Sequence, residues 1–140
     1  MKILVAHDGS EKADKALDVA AGIAGKSGAT LVIVNVVPDL CLSSEEIGAE
    51  GCALVSRSLS DEAGGTMRKV TARLAEQGIT AELVIKDGRP ADGILDAADE
   101  VGADLIVIGS TGKHGALRML MGSVSSRVAE YSTRSVLIVK

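Results

Sequence analysis

Aromatic residues are nearly missing from this sequence: one Tyr, no Trp and no Phe in 140 residues. Proteins that bind single-stranded nucleic acid in a sequence-general way rely on aromatic stacking platforms. The net charge of -4 also works against a surface that tracks phosphates. Nucleic acid is therefore not expected as a partner. The two cysteines, Cys41 and Cys52, fit neither a zinc spacing nor a CxxC pattern, and read as reduced bulk thiols of a cytoplasmic protein. Long apolar runs are absent too. Stretches such as Leu31 to Val34 and Leu105 to Ile108 are far short of the roughly 20 residues that a membrane span needs. Asp8 interrupts the apolar start before a secretory h-region could form. The expectation is one cytoplasmic domain over residues 1–140, with no membrane association.

What is present is glycine, sixteen residues of it, and a core restricted to Val, Ile, Leu and Ala. Five short apolar runs read as strands: Ile3 to Ala6, Leu31 to Val37, Ile79 to Ile85, Leu105 to Ile108 and Val136 to Val139. Four are nearly continuous, as burial on both faces of a parallel sheet demands. The third alternates, with Ile79, Ala81, Leu83 and Ile85 on one side and Thr80, Glu82 and Val84 on the other, which suits an edge. Helical stripes separate the strands. Ala13, Ala16, Leu17, Ala20 and Ala24 form the first, between a Ser10 N-cap and Gly28. The second starts at a possible Ser43–Glu46 capping box and runs through Ile47, Leu54, Val55, Leu59, Met67, Val70 and Leu74, with Gly64–Gly65 expected to break or kink it. The third opens on Pro90 and closes at Gly102, and the fourth begins near Gly122 or Ser123. Strict strand–helix alternation predicts an open five-stranded parallel α/β sheet with helices on both faces.

In such sheets ligands bind beyond the carboxyl ends of the strands. The loop after the fourth strand, Gly109-Ser110-Thr111-Gly112-Lys113-His114-Gly115, concentrates glycines there. No acidic residue occurs from Leu105 to Ala129, whereas Lys113, His114, Arg118 and Arg127 do. The stretch ends in a helix start, Gly122-Ser123-Val124-Ser125, whose free amides suit phosphate. The bare pattern is equally that of a glycine-rich turn beside a basic surface. Ala20-x4-Gly25-Lys26-Ser27 imitates a Walker A motif, but it closes a helix instead of opening one, so it is dismissed. No nucleophile elbow or histidine metal spacing occurs, and Asp8 alone does not make a phosphoryl-transfer site. No catalytic residue or protein metal ligand is assigned. His7 reads as a strand-end residue; His114 either touches phosphate or faces solvent.

Gly109-x2-Gly112-x9-Gly122-Ser123 resembles the nucleotide-binding signature of the universal stress protein family, in its ATP-binding subgroup. The opening Val5-Ala6-His7-Asp8-Gly9-Ser10-Glu11, the strand Leu105 to Gly109 and the ending Ser135 to Val139 are similar to that family's as well. The resemblance implies a Rossmann-like strand order of 3-2-1-4-5 and an adenine nucleotide ligand, ATP, with Mg²⁺ or Mn²⁺ carried on its phosphates. It implies that Gly112, Gly122, Ser123, Val124 and Ser125 line the phosphates through amides and hydroxyls. Gly109 and Ser110 would lie near the ribose and first phosphate, with Ile108 against the sugar. Ala6 and Asp8 would stand at the mouth of strand one, and Val36 would meet adenine through its backbone, although its side chain alone reads as core. Lys113, Arg118 and Arg127 are not fixed by the motif and read as a solvated cationic face. The implied role is a regulatory, stress-response nucleotide-binding module forming a homodimer through strand five. The alternatives are a slow ATPase or nucleotide-transferring enzyme on the same fold, or a nucleotide-free interaction module.

Overall fold

Five strands and four helices alternate in the computed structural model, which describes residues 1–38, 48–111 and 122–140. The expectations placed on Cys41, Ser43, Glu46, Ile47, Gly112, Lys113, His114 and Arg118 lie outside those residues. The strands are β1 (Lys2–Ala6), β2 (Thr30–Val37), β3 (Ala81–Asp87), β4 (Leu105–Gly109) and β5 (Ser135–Val139). The helices are α1 (Glu11–Ser27), α2 (Ala49–Glu76), α3 (Pro90–Val101) and α4 (Ser123–Tyr131). All strand pairs are parallel, in the order β3-β2-β1-β4-β5. The order reverses between β1 and β4, where a parallel sheet opens a crevice beyond its carboxyl edge.

The near-continuous strands are buried on both faces because helices cover both. On one face Ile3, Val5, Leu31, Ile33 and Val107 pack under Leu17 and Ala20 of α1 and Met67, Val70 and Leu74 of α2. On the other, Leu4, Val32, Val34, Ile106 and Ile108 pack under Ala91, Ile94 and Ala97 of α3 and Val128 of α4. Local chemistry sets the helix ends as the sequence predicts. The Ser10 hydroxyl caps α1 by accepting from the Ala13 amide. Gly28 and Gly102 close α1 and α3 in the left-handed region.

Three expectations need correction. Gly64–Gly65 does not break α2, which runs unbroken because Ala63, Met67, Val70 and Leu74 seat one face against the sheet and outweigh the glycine penalty. The apolar stripe before Ala63 is not core: Leu54 is 67% exposed. β3 also starts two residues late. The Ile79 amide is still held by the Leu74 carbonyl at the end of α2, at 2.9 Å, so the extended chain begins only at Ala81. At this outer strand Leu83 and Ile85 are 40% and 47% exposed, while Val84 packs onto the α3 side.

Candidate nucleotide cleft

The crevice at the switch point is a cavity of about 600 Å³. Its floor is the strand ends, from Ala6 to Asp8, Val34 to Pro38, and Ile108–Gly109. Its walls are Leu59, Glu62, Ala63 and Thr66 of α2, Pro90 and Ile94 of α3, and Gly122 to Ser125 at the start of α4. Ala6, Asp8, Val36, Ile108, Gly109, Gly122, Ser123, Val124 and Ser125 are thus brought to one cavity. Ser110 is buried behind them and does not line it.

The starts of α1, α3 and α4 face this space, and those of α1 and α4 are capped differently. At α1 the amides of Gly9, Ser10 and Ala13 are already used. The Gly9 amide donates to His7 Nδ1 at 3.1 Å, the Ser10 amide to Asp8 Oδ1 at 2.9 Å, and the Ala13 amide to Ser10 Oγ at 3.2 Å. Gly9 adopts φ +87°, a conformation that favours glycine. At α4 the cap is Gly122, which has no side chain to turn back. The helix's own bonding starts only where the Ser126 amide meets the Gly122 carbonyl, leaving the amides of Ser123, Val124 and Ser125 without a helical acceptor. The Ser125 hydroxyl does not cap them either; it donates to the Ser110 carbonyl at 2.8 Å. That carbonyl also accepts from the Gly122 amide at 2.5 Å, clamping the β4 exit to the α4 start.

The β2 end offers a second open backbone. The Val34 carbonyl accepts from the His7 amide on the β1 side, and the Val37 carbonyl accepts from the Gly88 amide on the β3 side. Alternation along the strand therefore points the Val36 amide and carbonyl to the β1 side. The β1 pairing stops at Ala6 opposite Val34, so among the described residues no strand stands across from Val36.

Sequence reasoning missed several contributors. His7 is 3% exposed and acts as a latch. Because Nδ1 accepts from Gly9, Nε2 carries the proton and donates to Asp14 Oδ1 at 2.9 Å. Asn35 Nδ2 donates to the His7 carbonyl at 2.8 Å, tying the β1 and β2 exits together. Asn35, the polar break in an apolar strand, was the available signal. The α2 wall had no such signal. Gly109 has an unforeseen constraint: a Cβ there would stand 2.9 Å from Lys12 Cβ and 3.0 Å from the Lys12 carbonyl carbon and oxygen, so this glycine seats α1 against β4. Arg127 lies away from the cavity lining, 3.8 Å from Asp92 and stacked over Tyr131.

The model of the universal stress protein family matches residues 1–140. The chain belongs to the universal stress protein family. Universal stress protein YxiE of Bacillus subtilis is 37% identical over 99% of this chain and 98% of its own length. Among solved structures, universal stress protein UspA of Lactobacillus plantarum superposes with a TM-score of 0.89 at 28% identity, covering 100% of this chain and 97% of that one. The universal stress protein of Archaeoglobus fulgidus in complex with dAMP matches with a TM-score of 0.73 at 27% identity, covering 100% of this chain and 98% of that one.

Proposed function

We propose that this universal stress protein binds an adenine nucleotide, ATP, in the crevice between β1 and β4, and serves as a regulatory stress-response module. The carrying observation is the glycine-capped start of α4 at the cavity. The α4 start brings three successive amides without a helical acceptor to the cavity beneath a glycine cap, and aligned amides with a positive dipole end attract phosphate. Ser123, Val124 and Ser125 supply them. The hydroxyl of Ser125 is engaged with protein, so its amide is its contribution. The glycine at 122 lets an anion approach without meeting a side chain.

The base goes to the other end of the crevice. Val36 presents one donor and one acceptor, which suits the acceptor N1 and donor N6 of adenine. Guanine reverses those two roles. The apolar walls of Val34, Pro90 and Ile94 suit a flat ring. The ribose falls between, beside Ala6, Ile108, Gly109 and the Asp8 loop, with Ser110 supporting from behind. A divalent cation, Mg²⁺ or Mn²⁺, would be carried on the phosphate oxygens. The dAMP held by the Archaeoglobus fulgidus relative supports an adenine nucleotide as ligand class. No helix among the described residues is long and apolar enough to cross a membrane, and we place the protein in the cytoplasm as a homodimer paired through β5. Equilibrium dialysis with ATP, AMP, cyclic AMP and GTP tests the reading. Retention of ATP over GTP supports it; retention of no adenine nucleotide overturns it.

A further inference from the structure

We infer that Gly93 of α3 is a positioning residue that sets the depth of the base subsite by seating Val36. The inference rests on the nucleotide reading above and adds to it the residue that shapes the subsite from outside the cavity lining.

Gly93 lies inside α3, its amide bonded to the Arg89 carbonyl at 2.9 Å. Its φ is not positive, so the backbone does not ask for glycine. Helix propensity argues against it, because glycine weakens a helix interior relative to alanine. Packing supplies the reason. A Cβ at Gly93 would stand 2.7 Å from Val36 Cγ2, 2.9 Å from Val36 Cγ1 and 3.4 Å from Val36 Cβ. Both γ-methyls are struck, so turning the stiff Val36 side chain does not clear the contact. Other helical glycines differ: Gly22 and Gly25 face open space, and Gly64 and Gly65 meet only the end of the Arg68 side chain.

Val36 is therefore pressed between α3 and the cavity that it lines. With a methyl added at position 93, Val36 is pushed toward the cavity that it lines. The displacement makes the base subsite shallower and shifts the backbone pair that reads the base. The α4 amides, at the other end of the crevice, are left in place.

The test is a double-mutant cycle of ATP affinity by calorimetry on wild type, Gly93→Ala, Val36→Ala and the double variant, with a melting curve for each. Gly93→Ala is expected to weaken ATP at least fivefold. In the Val36→Ala background, where the γ-methyls are gone, the same change is expected to cost less than twofold. Should Gly93→Ala fail to fold, a folded double variant that binds as Val36→Ala does supports the same steric route. Wild-type affinity in Gly93→Ala overturns the inference, and so does an equal loss in both backgrounds or a double variant that neither folds nor binds. If wild type itself binds no ATP, the nucleotide reading fails, and that result is distinct from the others.

Discussion

Replacing Gly122 by Ala separates fold from ligand. The residue sits at φ -76° and ψ 168°, open to any L-residue. A Cβ there meets the Ser110 carbonyl oxygen at 3.4 Å and Thr111 Cα at 3.5 Å, ordinary contact distances. The fold therefore tolerates alanine apart from its poor capping. The difference between glycine and alanine at an N-cap is about 1 kcal/mol, a few degrees of melting temperature at this size. A phosphate oxygen drawn to within about 2.9 Å of the α4 amides has no such tolerance. The methyl stands beside its approach and forces it outward. Losing one charge-assisted hydrogen bond costs about 1.5–3 kcal/mol, which is at least tenfold in affinity. Gly122→Val, with two further methyls, should lose more. Calorimetry with Mg·ATP and a melting curve read both effects. A folded Gly122→Val protein with wild-type affinity would refute the assignment of the phosphate site.

Backbone reading at Val36 predicts that ATP binds more tightly than GTP; equal affinities in parallel titrations count against it. Gly109→Ala should destabilise by about 1–3 kcal/mol, because the added methyl meets the Lys12 backbone and not a movable side-chain tip. A chemical denaturation midpoint unchanged from wild type would show that α1 is not seated on that glycine. Ser10→Ala should cost about 1 kcal/mol of stability through loss of the α1 cap, and denaturation at several urea concentrations measures it. Ile138→Lys should give monomers or insoluble protein, since β5 is an edge strand without internal charge or Pro. A wild-type mass of about 14 kDa by light scattering at micromolar concentration contradicts the dimer.

Much of the fold was legible because its signals are local. Ser10, Gly28, Pro90 and Gly102 mark helix ends by side-chain or backbone chemistry, and the structure uses each as expected. The continuous strands announced burial on both faces. The errors fall where tertiary contact overrides local preference. Gly64–Gly65 stays helical because the neighbouring Ala63 and Met67 are held down. Ile79 is kept from the strand by the closing turn of α2. The strand-end and glycine positions of the cleft were readable from order and spacing. The roles of His7 and Asn35 were not, since they depend on which strands become neighbours. Neither was the reason for Gly109, whose neighbour Lys12 is distant in sequence. Gly93 was passed over entirely, because a helical glycine has no local signature of the side chain it makes room for.

The central claim is that α4 amides and the Val36 backbone are the two ends of one adenine-nucleotide site. Titrating ¹⁵N-labelled protein with Mg·ATP and following amide resonances tests both ends at once. The account predicts saturable shifts that are largest at Val36, Ser123, Val124 and Ser125 and negligible at Leu83 and Ile85 on the outer edge of β3. No saturable change, or shifts centred away from the β1–β4 crevice, would contradict it.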